Sequence, residues 1–367
     1  MIDIEGRRAT VALAAGGTGG HMFPAESLAQ EMKRRGWRVV LFTDDRGMRF
    51  GETFPADEIV TLKAANPNVS GVGAKAGAAL SMAGGLATAA IGMRRNKPAI
   101  VVGFGGYPSA PAMVAARAMG IPYGVHEQNA VLGRVNRLVA PSAAFVAHAF
   151  PTLSRLPARV KGEVVETGNP VRDAIRAVAG SPYPDPAGPL LLLVFGGSQG
   201  ASLFSRVVPE ALAMLPAELR QRLSVVQQVR GTEKEEVGAI YKQAGIACDL
   251  APFFKDIPQR LAAAHLVIAR AGASSVTELA TVGRPSVLVP LGIAMDDHQT
   301  GNAKVLVKAG AAELIPEPQF SAERLSTTLD ALLTDASRLS QMAASALTRA
   351  PQGAVTRLAD LTERLAR

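Results

Sequence analysis

The chain has 367 residues, enough for two domains at about 100–200 residues each. Hydrophobic residues make up 48% and charged residues 19%, which excludes a disordered chain, and aromatics at 5% leave Ala, Val and Leu to build the core. The formal charge of +8 favours anionic partners, whether a phosphorylated substrate, nucleic acid or an anionic membrane surface, and the single cysteine, Cys248, excludes an intrachain disulfide or a cysteine-built zinc cage and fits a reducing compartment.

No apolar run backs the charges of the first ten residues, so no signal peptide is expected. The first element is a strand with β-branched Thr10 at its start and Val11 to Ala15 as its apolar core. Gly16-Gly17-Thr18-Gly19-Gly20-His21 follows, then a helix predicted from about Pro24 to Arg35, because proline is tolerated where its missing N–H is not needed. Gly36 stops that helix and Val39 to Thr43 is the second strand, making a βαβ unit and hence a parallel sheet covered by helices. Ala76 to Met93 is uncharged over 18 residues, but its Ala, Gly, Ser and Thr content is poor for crossing ~30 Å of hydrocarbon. Two readings stand: an Ala-rich core helix, or a helix lying on an anionic surface with Lys75, Arg94, Arg95 and Lys97 at its ends.

Further on, Ile100 to Val102 leads into Gly103-Phe104-Gly105-Gly106-Tyr107 and an Ala-rich stretch at 110–119, and Pro122 to Val125 leads into His126-Glu127-Gln128-Asn129. Residues 180–189 hold six Gly or Pro and read as an irregular connection. Leu190 to Phe195 is a fresh strand followed by Gly196-Gly197-Ser198-Gln199-Gly200. Gly16, Gly17, Thr18 and Gly20 match Gly196, Gly197, Ser198 and Gly200 at a constant offset of 180, an echo that suggests two similar α/β domains. Strands are expected near Val225–Val229, Leu266–Ala269 and Ser286–Val289, and the tail from Ala322 is helical, with Leu325, Leu329, Leu332 and Leu333 at helical spacing.

Glycine after a buried strand lets the backbone turn tightly and approach a ligand, and the amides of the following helix start then face an anion. A ligand-free tight turn is the bland alternative, which two matching turns weaken. Neither turn is a dinucleotide fingerprint: Met22 stands where the third glycine belongs, although Asp44 and Asp45 end the second strand where a ribose-binding acid sits, so a nicotinamide enzyme remains a rival. No Gly-Lys-Ser/Thr follows either turn, which excludes the phosphate loop of nucleotide hydrolases. There is no HExxH and no Asp-x-Asp pair, and Asp296-Asp297-His298 reads better as a polar loop than as a ligand cluster, so no metal and no cofactor are expected. No basic stretch interleaves with aromatics, so no nucleic-acid partner is expected.

The ordered set resembles the MurG family of glycosyltransferase family 28. It comprises the two glycine turns, Gly103 to Tyr107, His126 to Asn129, Thr167-Gly168-Asn169-Pro170-Val171-Arg172, Arg270-Ala271-Gly272-Ala273 with Glu278 behind, and Asp297-His298-Gln299 before Asn302-Ala303. It spans roughly residues 10–310; each motif alone is weak, and the order is what makes the resemblance specific. The resemblance implies an α/β chain of GT-B architecture, two Rossmann-like domains with parallel sheets facing a cleft. Residues 1–167 would form the acceptor- and membrane-facing domain, residues 168–345 the UDP-sugar-binding domain, and a last helix at 346–367 would cross back to the first. The implied reaction moves N-acetylglucosamine from UDP-N-acetylglucosamine to the C4 hydroxyl of the muramoyl pentapeptide of lipid I, with inversion, on the cytoplasmic face of the cell membrane. Other cell-wall or division proteins are implied as partners. Another GT-B enzyme with a different sugar or acceptor, and a non-enzymatic binding protein, stay open as alternatives.

The resemblance also implies roles. Two charges must be managed: a proton leaves the attacking hydroxyl, and negative charge grows on the departing diphosphate. His21 is the first candidate for the base and His126 the second, with His126 otherwise an acceptor contact or a structural histidine. Ser198, the amides of Gly197 to Gly200 and Arg172 would hold the donor diphosphate. Glu278 would accept the ribose hydroxyls, Gly272 and Ala273 would allow close approach of the nucleotide, and Phe254 would lie near uracil. Gln299 and Asn129 are candidates for sugar contacts. Thr18, Gly19 and Gly20 would meet the acceptor diphosphate or the donor's sugar end, and Tyr107 would position acceptor.

Overall fold

The computed structural model describes residues 8–50, 54–63 and 71–366. The chain divides into two compact units, one running to Arg172 and including the tail from Pro351, the other Asp173–Ala350. The first exit thus falls five residues beyond the expected boundary at 167, and Arg172 belongs to the first unit.

The first unit is built on seven parallel strands: β1 Thr10–Ala14, β2 Arg38–Thr43, β3 Glu58–Thr61, β4 Ile100–Gly103, β5 Tyr123–Glu127, β6 Phe145–His148 and β7 Glu163–Glu166. Their order in the sheet is β3-β2-β1-β4-β5-β6-β7. The second unit has β8 Leu190–Phe195, β9 Leu223–Gln228, β10 Ala247–Ala251, β11 Leu266–Ala269, β12 Ser286–Leu288 and β13 Ala312–Leu314, ordered β10-β9-β8-β11-β12-β13. The central strands are apolar end to end because helices cover both faces; every residue of β1 and β4 is buried. Two clusters fill the faces of the first sheet, one around Leu13, Leu28 and Trp37, the other around Phe42, Val101 and Met113.

The strand order places the candidate sites. In each sheet the winding reverses beside the first strand, between β1 and β4 in one and between β8 and β11 in the other, and ligands of such sheets bind outside the carboxyl ends at that reversal. The turns leaving those four strands are Gly16–Gly20, Gly103–Tyr107, Gly196–Gly200 and Arg270–Ala273, four of the motifs singled out from sequence.

Three elements differ from expectation. The first helix is Gly19–Arg34, so Pro24 lies inside it. The Gly19-Gly20 pair already winds as helix, and Pro24 removes only the ladder bond that would have reached Gly20, close to the start where such bonds are fewest. The tail is not one helix from 346: Ala336–Leu347 ends in the second unit, Pro351 and Gly353 (φ +61°) break the chain, and Ala354–Leu365 packs in the first. There Leu358 and Leu361 join the core around Leu13, while Glu363 accepts from Arg35 (2.7 Å) and the Trp37 indole (2.7 Å). Finally, the Ala-rich stretch is part of the helix Val72–Asn96, long and apolar enough to cross a membrane by composition. It rests on the sheet through Ala89 and Met93, and Gly85 lies so close to the Lys63 carbonyl that a Cβ there would come within 2.1 Å of it.

Candidate active site

In the first unit, Thr18 caps the helix Gly19–Arg34 in extended conformation, and its Oγ1 lies 3.2 Å from His21 Nδ1. The imidazole packs on the backbone of Gly106, whose φ is +74° and where a Cβ would stand 3.4 Å from both Cε1 and Nδ1 of His21. The turns after β1 and β4 therefore meet at His21, and Gly106 is glycine because the ring and the backbone geometry both exclude a side chain. Phe23, one turn on, covers Gly19, where a Cβ would be 2.8 Å from the ring, and Arg172 stacks on the same ring with Cζ 4.2 Å from its centroid. Thr18, Gly19, Gly20, His21, Tyr107 and Arg172, predicted separately, are gathered at one end of one sheet.

Of the places open to His126, the fold gives it the structural one. Its ring is 0% exposed, 5.7 Å from Phe104 between centroids. Nε2 donates to the Gly168 carbonyl (3.0 Å) and Nδ1 accepts from Gln128 Nε2 (3.2 Å), which fixes the neutral tautomer. Burial outweighs the bond to Gly168 and lowers its pKa from 6.5 to about 4. The structure thus corrects the assignment of His126 to proton transfer or acceptor contact: the ring reaches no solvent and holds the segment where the chain leaves the first unit. Arg357 reinforces that segment by donating to the Thr167 carbonyl (2.8 Å).

Next to it stands Glu127, a functional residue that carries no signal of its role in the sequence. It is buried; Oε1 accepts from the Asn129 amide (3.0 Å) and Asn129 Nδ2 (3.1 Å), and Oε2 from Gly133 N (2.8 Å) and Asn136 Nδ2 (2.9 Å). Burial raises its pKa and the four donors oppose the rise. The carboxylate shapes the loop carrying Asn129, and Asn136 extends the network to Gly105, where a Cβ would lie 3.1 Å from its Nδ2. The His-Glu-Gln-Asn motif is legible, but only the fold shows that its charge faces inward.

Asp44, the acid of the nicotinamide alternative, is also committed. Oδ1 accepts from Gly17 N (3.2 Å) and Gly47 N (3.0 Å), and Oδ2 from Arg46 Nε (3.2 Å). With both oxygens used by its own loop, it is not poised for a ribose.

In the second unit, the turn at Gly272 caps the helix Ala273–Val282 in extended conformation, and a Cβ on Gly272 would meet only Ser275 Oγ, at 3.9 Å. Asn302 holds this turn by donating to the Ala271 carbonyl (3.1 Å). Glu278 lies one helical turn after Ser274; it is buried, which removes the reading of a solvated surface charge. Ser274 Oγ is buried with no partner among the described residues. Gln299 anchors the loop after β12, its Oε1 accepting from Leu291 N (2.9 Å), and Arg270 and Glu317 pair beside it (2.7 Å), with Glu317 also accepting from Gly292 N (2.9 Å).

Gln228, at the end of β9, ties two predicted segments together: its Oε1 accepts from Gly196 N (3.3 Å) and its Nε2 donates to the Pro252 carbonyl (3.1 Å). Phe254 follows, but its ring is buried beneath Arg260, with Cζ 4.2 Å from the centroid, and the exposed ring is Phe253 at 71%. The expected place of residue 254 near uracil therefore does not offer the Phe254 ring as an exposed face. The helix Gly197–Ala213 starts at the second glycine turn; the side chains of 197–201, Ser198 among them, lie outside the described residues.

Residues 11–148 match the glycosyltransferase family 28 N-terminal domain and residues 191–362 the family's C-terminal domain. A UDP-N-acetylglucosamine--N-acetylmuramyl-(pentapeptide) pyrophosphoryl-undecaprenol N-acetylglucosamine transferase of Methylobacterium sp. (strain 4-46) is 51% identical over 96% of this chain and 95% of its own. A Caulobacter vibrioides (strain NA1000 / CB15N) protein of the same name is 48% identical over 97% and 98%. The crystal structure of Acinetobacter baumannii MurG superposes with a TM-score of 0.79 at 32% identity, covering 97% of this chain and 99% of that one. A putative UDP-N-acetylglucosamine 2-epimerase from Listeria monocytogenes, at TM-score 0.63 and 16% identity, shares the fold alone. The chain belongs to glycosyltransferase family 28, and within it to the MurG line of GT-B transferases.

Proposed function

We infer that this chain transfers N-acetylglucosamine from UDP-N-acetylglucosamine to the C4 hydroxyl of the N-acetylmuramoyl-pentapeptide of undecaprenyl-linked lipid I, giving lipid II and UDP in peptidoglycan synthesis. The observation that carries it is near-full-length identity of 51% to a transferase of that name.

The acceptor oxygen attacks the anomeric carbon as the bond to the diphosphate breaks, so configuration inverts from α to β. His21 takes the hydroxyl proton: an imidazole suits transfer near neutral pH, and Thr18 and Gly106 hold its ring. Charge growing on the leaving diphosphate is met by Arg172 and by the amides at the start of Gly197–Ala213. Glu278 accepts from the ribose, and Gly272 and Ala273 let the nucleotide approach the helix start. Because Gln299 Oε1 is taken by Leu291, its Nε2 is the atom offered to the sugar, and residue 254 meets the base through its backbone. Asn129, set by Glu127, serves the sugar or the acceptor.

A lipid acceptor requires a membrane surface, and the chain works peripherally on the cytoplasmic face. The helix Val72–Asn96 supports this: Leu80 (78% exposed) and Ile91 (66%) fall on one stripe, eleven residues apart, with Arg94 and Lys97 exposed beyond them. The side chain of Lys75 lies outside the described residues.

Purified full-length chain supplied with UDP-N-acetylglucosamine should release UDP only when lipid I or a short-chain analogue is added, with a β-linked disaccharide as product and the same rate in EDTA. UDP release without acceptor, or no disaccharide, would overturn the assignment; loss of rate in EDTA restored by Mg²⁺ would overturn its metal-free form.

A further inference from the structure

Arg46 belongs to none of the motifs that mark the family resemblance, yet it stands at the mouth of the first glycine turn. Three contacts fix it: Nε donates to Asp44 Oδ2 (3.2 Å), Nη2 donates to the Tyr107 hydroxyl, and the guanidinium carbon lies 4.9 Å from the Tyr107 ring centroid. It hangs directly over Gly17, where φ is +83° and a Cβ would come within 3.4 Å of Nη2. The side chain is 49% exposed, and Nη1 has no partner among the described residues.

The electrostatics of the turn call for such a group. Asp44 is 6% exposed, and its bond to Gly17 N withdraws one amide of the turn from any incoming anion. Those left to receive one are the first amides of the helix Gly19–Arg34, which carry only the partial charge of a helix start. Arg46 adds a full charge beside them in a planar fork suited to phosphate oxygens, held in place before any ligand arrives. Because the Tyr107 hydroxyl accepts from Arg46, its own proton is directed elsewhere, giving a second donor next to Nη1.

We propose that Arg46, preset by Asp44 and Tyr107, binds the diphosphate of the lipid-linked acceptor. This rests on the transferase reading above for the identity of the diphosphate, while the anion site itself does not depend on turnover.

The test separates the two. Inorganic pyrophosphate is titrated into the full-length chain in saturating UDP, which fills the donor's own phosphate site, and transfer kinetics are run in parallel. For Arg46→Met, pyrophosphate binding should weaken at least tenfold. Acceptor KM should rise by a similar factor while donor KM stays within twofold, and Arg46→Lys should recover part of both. Tyr107→Phe should show a smaller rise in acceptor KM. Pyrophosphate bound equally by wild type and Arg46→Met, or a rise in donor KM in place of acceptor KM, would overturn the proposal. Should the wild type bind pyrophosphate through Arg46 but fail to transfer sugar, the transferase reading falls and the anion site stands. If Arg46→Met lowers the thermal midpoint, Arg46→Lys carries the comparison, and its acceptor KM matching wild type with pyrophosphate affinity unchanged would count against a phosphate fork.

Discussion

Two histidines stand near the same turns in opposite settings. His21 is partly exposed, with its ring held by Thr18 and the bare backbone of Gly106; His126 is sealed and spends both nitrogens inside the protein. A base must reach the proton it takes, so geometry favours His21 before pKa enters. For His21→Ala, kcat should fall by about 100-fold or more with donor affinity kept, and the acidic limb of the pH–rate profile should flatten. For His126→Asn, which keeps a donor for the Gly168 carbonyl, residual activity should retain that limb at the same pH, and His126→Phe should cost thermal stability as well. Steady-state profiles for the three variants check this, and an acidic limb that vanishes in His126→Asn but survives in His21→Ala would reverse the assignment.

At the scale of elements, what was legible follows from how each piece is buried. β1, β4, β8 and β11 are covered on both faces, so they read as largely apolar runs, and the glycine turns behind β1 and β8 could be found by their echo alone. The outer strands carried no such signal: β7 is Glu-Val-Val-Glu and mostly exposed, and β10 holds Asp249 and an exposed Cys248. Residues whose work is to hold other residues were also hidden. Glu127, Gln228 and Asp44 each tie backbone amides from segments far apart in sequence, or turn a charge inward, and neither act leaves a periodicity. The helix Val72–Asn96 shows the limit in another way, since its composition does not tell one face from the other: Ala89 and Met93 face the core while Leu80 and Ile91 face outward. Its outer stripe gives a clean prediction. Leu80→Glu with Ile91→Glu should abolish co-sedimentation with phosphatidylglycerol vesicles and leave the thermal midpoint within about a degree, because exposed positions cost within about 0.5 kcal/mol. Undiminished vesicle binding would place the membrane contact elsewhere.

Each unit of the molecule closes around its own core, and each carries a buried histidine kept neutral for the same structural reason. His265 accepts from Leu191 N at Nδ1 (3.0 Å) and donates from Nε2 to the Asp185 carbonyl (3.2 Å), as His126 does toward Gly168, and burial lowers the pKa of both. A histidine whose folded pKa lies below its unfolded one leaves the unfolded chain binding more protons between the two values, so stability rises with pH across that window. For His126 the window runs from about 4 to 6.5: its contribution is complete above 6.5, is lost as pH falls toward 4, and amounts to roughly 3 kcal/mol. Glu127 works against it, because burial raises its pKa and makes the folded state the better proton binder just above the ordinary carboxylate value of 4.5. The wild-type slope is therefore a difference, and the variant isolates one side of it. Urea midpoints measured at pH 7.5, 6.0 and 5.0 should fall steadily for the wild type and fall less for His126→Gln, which keeps a donor and acceptor but cannot charge. The residual acid sensitivity of that variant should come from the second unit, through His265, and should diminish further in a His126→Gln, His265→Gln double variant. Identical slopes in all three proteins would mean that neither ring is held neutral in the folded chain.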